Sequence, residues 1–498
     1  MQLLLQAPSI AELASHLFSR RTETTSAKPS RHSRQGELPL SFAQQRLWFL
    51  DQLEPGSPLY NIPAAVRLEG TLDVAALERG FTELVRRHES LRTTFVEVGG
   101  SPVQKIAPSL SVELPVESLE QHPAAEHEEQ VQRLAREESQ RPFELTRGPL
   151  FRVKLLKLGE TQHVLVLTMH HIVSDGWSMG ILIREVAALY RAFASGQPAS
   201  LPELPLQYAD YAAWQRQWLQ GEKLESQLSY WREQLAGAPQ ALELPTDKAR
   251  PPVQSYRGAS HPVLLPPALS RAVNALAQRE GATPFMVLLA AFQSVLYRYS
   301  GQQDISVGSP IAGRTHADTE GLIGFFANTL VLRTRLEGNP SFRELLGRVR
   351  QVALGAYAHQ DVPFEKLVEE LKPQRDLSRS PLFQVMLALR QDPLPDLALP
   401  GITSARELAV DTLTSKFELT LSLVDSEQGF TGWLEYNTDL FEPETAARML
   451  GHLRVLLEAA TANPELSLSA LPLLPEAERQ QVLVQWNDTR ADYPREAC

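Results

Sequence analysis

The chain is poor in the residues from which covalent staples and metal cages are built. It holds one cysteine in 498 residues, Cys498 at the last position, so an internal disulfide and a thiolate zinc site are both excluded. A thiol at a chain end is also badly placed to act as a rigidly held nucleophile. No apolar run approaches the roughly 20 residues of a membrane-spanning helix. The N-terminal segment starts apolar but lacks a basic stretch and carries Glu12 and His16, which reads as an amphipathic helix and not as a signal peptide. Cations are not in surplus: Lys and Arg number 48 against 59 Asp and Glu, a net charge of −11. Nothing is then left over to neutralise phosphates, and nucleic-acid binding is not expected. The most basic stretch, Arg20-Arg21 to Arg34, is rich in Ser and Thr and reads as linker. Gly-x-Ser-x-Gly, HExxH and a glycine loop ending in Gly-Lys-Ser/Thr are all missing, which weakens serine-hydrolase, zinc-protease and nucleotide-binding readings. No short repeat period is visible.

What is present is ordinary globular material: 43% hydrophobic and 21% charged residues. The length suits two core-sized units plus ends. Ser9 and Glu12 form a capping-box pattern ahead of Ile10, Leu13, Ala14 and Leu17 on one helix face. Residues 20–37 show no periodicity and read as a flexible linker. A globular region opens at residue 38. Residues 71–95 read as mainly helical, with Leu77, Phe81, Leu84 and Val85 on one face. Residues 153–169 read as strand interrupted at 158–160, and 178–193 as helix. A Gly/Pro-containing boundary falls at 195–205, followed by a helical, Trp-rich stretch over 208–234 and a Pro-rich connection over 239–252. Further helices are expected at 283–299 and 442–459, and strands at 304–309, 329–335 and 417–424. The mixture argues for an α/β (α+β) protein of two lobes.

The chemistry concentrates in His170-His171-Ile-Val-Ser-Asp175-Gly176, a link from strand to helix. Adjacent strand residues point to opposite faces, so one histidine can face a cleft while the other packs inward. A cleft imidazole accepts a proton near neutral pH, and a helix N-terminus close by favours its neutral form. Asp175 then either holds the loop or serves as a second acid, and Gly176 permits a tight turn and close approach of a ligand. On spacing alone, a buried pair of hydrogen-bonded histidines with Asp175 capping the helix fits as well. Metal binding is the weaker reading, since adjacent histidines seldom hold one ion together.

The surrounding residues resemble a known family. His170-His171-x-x-x-Asp175-Gly176 is similar to the HHxxxDG signature of nonribosomal peptide synthetase condensation domains. Six further motifs accompany it in the family's order. Ser41-Phe-Ala-Gln-Gln-Arg46-Leu-Trp48 and Arg87-His88-Glu89-Ser-Leu91-Arg92 precede it. Tyr208-Ala-Asp210-Tyr211-Ala-Ala-Trp214, Ile323-Gly324-Phe-Phe-Ala-Asn328, His359-Gln-Asp361-Val-Pro363-Phe364-Glu365 and Arg375-Asp376-Leu-Ser-Arg379-Ser-Pro381-Leu-Phe383-Gln384 follow it.

The resemblance implies two chloramphenicol acetyltransferase-like lobes arranged as a V-shaped pseudo-dimer around a central tunnel, here residues 38–205 and 206–470. Residues 1–19 resemble the last helix of a preceding carrier protein. Residues 471–498, with Trp486-Asn487-Asp488-Thr489, resemble the lead-in to an adenylation domain. The implied reaction is amide formation between an upstream carrier-bound acyl thioester and a downstream carrier-bound amine. Both are held on phosphopantetheine arms of the carriers, with no cofactor or metal bound by the domain itself. Gly176-Trp177-Ser178-Met-Gly180 is similar to the subtype joining an L-configured donor to an L-configured acceptor. The expected roles are His171 as base or positioning acceptor and the Gly176 N–H as donor to the oxyanion. His170, Asp175 and Arg314 are expected to be structural, with Arg314 pairing Asp175. Arg87 and Arg92 are expected as buried ion-pair or capping residues, and Asn328, Ser309 and Trp177 as substrate contacts. A monomeric, cytoplasmic domain without membrane or nucleic-acid partners follows. The alternatives are an epimerization domain, a free-standing coenzyme A acyltransferase of the same fold, and a non-catalytic recruitment module.

Overall fold

A computed structural model describes residues 28–374, 376–390 and 397–489. The expected N-terminal helix, Arg375 and Cys498 lie outside them. In the first half of the chain the elements are β1 (Leu38–Pro39), α1 (Phe42–Leu53), β2 (Asn61–Gly70), α2 (Val74–Arg87), β3 (Thr93–Val98), β4 (Ser101–Ile106), β5 (Val116–Ser118), α3 (His127–Gln140), β6 (Phe151–Gly159), β7 (Gln162–His170) and α4 (Gly176–Ala194). The second half adds α5 (Tyr208–Trp218), α6 (Gly221–Leu235), β8 (Gly258–Leu265), α7 (Pro267–Arg279), α8 (Pro284–Ser300), β9 (Asp304–Ile311), β10 (Asn328–Arg335), α9 (Phe342–Ala358), α10 (Phe364–Leu371), β11 (Val385–Arg390), β12 (Ile402–Leu408), β13 (Leu419–Ser426), β14 (Gly429–Asn437), α11 (Pro443–Ala462) and α12 (Glu476–Gln480).

Two large sheets organise the halves, in the orders β12-β2-β7-β6-β5 and β10-β9-β11-β13-β14-β8. β7 is the strand that matters for the site. Its residues 163–170 are all buried, because both faces of the first sheet are covered. Leu165, Leu167 and Met169 pack with Leu77, Phe81 and Leu84 of α2 and with α4. Val164 and Val166 pack on the other face with Val131, Leu134 and Ala135 of α3. A strand covered on both faces reads as a continuous apolar run and not as an alternation. In the second half α8 is buried along Met286–Leu296, started by a Thr283 cap with Pro284 behind it and ended by Gly301 at φ +71°.

Three expectations need correction. The 71–95 helix stops at Arg87, and Thr93–Val98 is strand β3, where Thr93 and Phe95 alternate inward. The 208–234 stretch is two helices, broken before Gly221, whose φ of +58° leaves the right-handed region. The helix after the histidines begins at Gly176, two residues before the expected start, because Asp175 caps it. Two further features join distant parts of the chain. β12 lies antiparallel on β2, pairing Leu408 with Ala65 and Ala405 with Leu68, so a strand from the second half completes the first half's sheet. The last residues of the stretch read as linker are held to the body: Arg34 bridges Glu89 at 2.8 Å and Asp210 at 2.5 Å.

Candidate active site

β7 ends at His170, and His171–Val173 form one 3₁₀ turn before Ser174 and the Asp175 cap. The two histidines diverge because the strand ends between them, not because they alternate along it. Their hydrogen bonds set opposite tautomers. His170 Nδ1 accepts the Ile172 N–H at 3.2 Å, so its proton sits on Nε2. His171 Nδ1 donates to the Ser174 carbonyl at 3.0 Å, which leaves the Nε2 lone pair as acceptor. His170 is 4% exposed, between the rings of Tyr60 and Phe143 at 6.4 and 6.1 Å. His171 is half-buried, with Phe325 set edge-on to its ring at 4.8 Å. Burial pushes both imidazoles down to about 3, and the positive charge of Lys416 acts in the same direction on each. Both rings are therefore neutral at physiological pH.

Both oxygens of Asp175 are engaged in holding the loop. Its Oδ1 accepts from the Ser178 N–H at 2.9 Å, the Ser178 hydroxyl at 2.7 Å and Arg314 at 3.3 Å. Its Oδ2 accepts from the N–H groups of Phe326 and Ala327 at 3.0 and 3.2 Å. One carboxylate thus ties the start of α4 to the segment leading into β10. Arg314 is placed where the resemblance put it. Its guanidinium also donates to the carbonyls of Thr319 and Leu322 at 2.5 and 2.8 Å and lies 4.0 Å from the centroid of the Phe326 ring. Close packing explains Gly324: a Cβ there meets the Tyr208 ring at 2.0 Å. The Tyr208 hydroxyl bonds Ser41 at 2.8 Å and the Phe325 carbonyl at 2.5 Å, so the motif over 208–214 packs α5 beneath the site. Arg87 pairs with Glu185 at 3.1 Å, and Arg92 donates to the Ala107 carbonyl.

Gly176 is the first residue of α4 and exposed. Its backbone is not left-handed and an added Cβ meets nothing within 4 Å, so neither a tight turn nor packing explains the glycine. Its N–H, at a helix start, is one of the donors that the helix itself cannot satisfy. Of the three expected substrate contacts, Asn328 lies on a cavity wall and Trp177 and Ser309 do not. Trp177 is half exposed and donates its indole N–H to the Glu320 carbonyl at 3.1 Å. Ser309 is buried on β9, opposite Leu330. Asn328 spends its amide on structure, donating to the carbonyls of Gln360 and Val362 at 2.9 and 2.8 Å and accepting from Phe364 N–H at 3.0 Å.

A small cavity of about 40 Å³ lies under the segment over 325–328, walled by Tyr211, Trp214, Trp218, Phe325, Asn328 and Asp361 among others. Phe325 is shared between that cavity and the His171 ring. Sequence reasoning missed Phe325 and Lys416. The first lies inside the motif over 323–328 and was open to finding; the second sits in Thr414-Ser-Lys416-Phe, which carries no pattern. Among the described residues no three His, Cys, Asp or Glu side chains gather as a metal would need, and no helix is long and apolar enough to cross a membrane.

A family model described as Condensation domain matches residues 34–483. One of the linear gramicidin synthase proteins of Brevibacillus parabrevis is 52% identical over 93% of this chain, which spans 6% of that protein. Phosphinothricin tripeptide synthetase PhsC of Streptomyces viridochromogenes is 45% identical over 94% of this chain and 43% of its own length. The chain thus spans less than half the length of these relatives. Among solved structures, the X-domain from teicoplanin biosynthesis superposes with a TM-score of 0.82 at 32% identity, covering 90% of this chain and all of that one. The condensation domain of the Monacolin K polyketide synthase MokA superposes at 0.77 and 24% identity, covering 88% of this chain and 100% of that one, and shares the fold.

Proposed function

This chain belongs to the condensation-domain family, and from that premise we propose that it forms peptide bonds between two carrier-bound substrates. The amine of a downstream aminoacyl thioester attacks the carbonyl carbon of an upstream aminoacyl or peptidyl thioester. A C–N bond forms, the C–S bond breaks, and the amine's proton ends on the departing phosphopantetheine thiol. The acyl chain then rests on the downstream carrier. Thioesters are reactive donors, so holding the two arms in line supplies much of the acceleration.

The observation that carries this reading is the free Nε2 lone pair of His171 at the rigid end of β7, its Nδ1 proton tied to Ser174. An imidazole pushed down to about 3 is a weak base. His171 therefore acts first as the acceptor that orients the amine N–H and its lone pair, and passes the proton on without storing it. The unpaired N–H of Gly176 supplies a donor to the oxyanion. His170, Asp175 and Arg314 hold the loop. The partners are an upstream and a downstream carrier, with an adenylation domain adjacent in the full synthetase.

The likeness to an X-domain favours a second reading, a module that recruits another protein and makes no bond. The complete histidine loop with its Asp175 and Arg314 clamp favours condensation. The deciding experiment is a single-turnover reaction between separately loaded upstream and downstream carriers, followed by intact mass of the downstream one and chiral analysis of the donor residue released from the upstream one. Dipeptidyl carrier supports condensation; a racemised donor supports epimerization; unchanged carriers support recruitment.

A further inference from the structure

The segment ahead of β13 sends one cation into the site that no motif accounts for. The Lys416 backbone is clamped, its carbonyl accepting from Gln254 at 3.1 Å and Ser380 at 3.5 Å. Its ammonium stands 4.8 Å from the centroid of the Tyr60 ring, and Tyr60 in turn faces His170. The lysine thus reaches from the second half of the chain to the ring that stands beside His170 in the first, and its charge acts on both histidines. It makes no ion pair or side-chain hydrogen bond with any described residue. The charged and titratable groups around it are Tyr60 ahead of β2, His170 and His171 after β7, Arg46 of α1 and Glu435 of β14. Arg46 adds to the positive field, its own partner Glu365 being 3.1 Å away. Glu435 is the carboxyl that acts on Lys416; burial pushes it up while Lys416 pulls it back down, and the two do not form an ion pair. Asp175, the carboxylate nearest to the histidines along the chain, is spent on Arg314 and backbone N–H groups. Among the described residues no carboxylate stands within ion-pairing distance of Lys416, His170 or His171.

Amide formation requires an unprotonated amine, whereas an α-amine near neutral pH is largely an ammonium. We propose that Lys416 is a positioning residue for the nucleophile: its unpaired ammonium disfavours a second cation beside His171, so that the acceptor releases its proton to bulk water as it arrives and meets His171 as a free amine. Lys416 is itself pushed down to about 8 by burial and keeps its charge at pH 7. The proposal deepens the condensation reading and rests on it.

The test compares two acceptors on loaded carriers across pH 5.5–8. One is an ordinary aminoacyl acceptor; the other is an aminooxyacyl acceptor, whose nitrogen is already unprotonated in this range. In the unsubstituted chain the acid limb with the aminoacyl acceptor should lie below the pKa of that amine in free solution. In Lys416→Met the limb should move up by about one pKa unit, so that at pH 5.5, below both limbs, the loss with the aminoacyl acceptor exceeds that with the aminooxyacyl acceptor by about tenfold. Lys416→Arg, which keeps the charge, should restore the limb. Equal losses with both acceptors overturn the proposal. If Lys416→Met does not fold, an acid limb in the unsubstituted chain that coincides with the free-solution amine also overturns it. Absence of dipeptide from the unsubstituted chain overturns the condensation reading itself; dipeptide with unshifted profiles overturns only the role of Lys416.

Discussion

The carboxylate of Asp175 and the guanidinium of Arg314 meet at 3.3 Å with side chains 2% and 1% exposed, which makes the histidine loop dependent on a fully buried charge pair. Removing one member leaves the other charged and without water, a change that costs about 3–5 kcal/mol. Asp175→Ala should therefore lower the urea midpoint steeply, with loss of activity following loss of fold. The double variant Asp175→Ala/Arg314→Met removes both charges and should recover part of that stability. A double variant no more stable than Asp175→Ala, measured by urea melts at equal pH, counts against a buried-charge origin for the effect.

The adjacent histidines should separate cleanly. His171 is half-buried and offers Nε2 to the site; His170 is packed between Tyr60 and Phe143 and caps the Ile172 N–H. His171→Ala should keep its melting temperature within a few degrees and lose about 10²-fold or more in single-turnover rate. His170→Ala should lower stability by about 1–3 kcal/mol through lost packing and an unsatisfied N–H. The measurement is a thermal melt and a single-turnover rate on each variant. Equal rate loss in both, without a stability difference, contradicts the division of roles.

The parts of this site that were legible in the sequence are those whose cause is local. β7 showed as an apolar run over 163–169 because helices cover both faces of its sheet, and the run stops where two histidines begin. The Asp175 cap followed from its place before a helix. The Arg314 partner, 139 residues away, was reached only through the family resemblance. β12 was not legible: Ile402–Leu408 is mostly exposed, at the edge of its sheet, and no periodicity states which sheet it joins. Lys416 escaped for a related reason. A lysine is ordinary in any sequence, and its interest lies in what surrounds it, four elements from elsewhere in the chain. Asn328 has both features that its motif left open: it lies on the cavity wall, and its amide holds the turn over 360–364, a demand visible only once those carbonyls are in place.

Gly176 permits a test that leaves the fold untouched. A methyl added there meets no atom within 4 Å and enters an ordinary helical position, where alanine is the better helix former by up to about 1 kcal/mol. Gly176→Ala should melt at or slightly above the parent temperature. If substrate lies against this backbone and bonds its N–H, the methyl stands in the way and the single-turnover rate should fall by about 10-fold or more. Full activity in a stable Gly176→Ala protein removes Gly176 from the oxyanion site.

The depressed histidines also fix how stability responds to acid. An unfolded histidine binds a proton near 6.5, whereas folded His170 and His171 do so at about 3. Between these values the unfolded chain holds more protons, so stability rises with pH there. The contribution is fully present above about pH 6.5 and is lost as pH falls towards 3, at up to about 1.4 kcal/mol per unit for each histidine. Urea midpoints should consequently drop between pH 7 and 5.5, and the slope should be shallower in His171→Ala by about the share of one group. The rate should behave differently. Because His171 stays neutral across this range, its titration puts no limb in the single-turnover profile, and any acid limb above about pH 5 belongs to the acceptor amine. A limb that keeps its position when the amine is exchanged for one of different basicity assigns it to the protein instead, and the neutral-imidazole account of His171 fails.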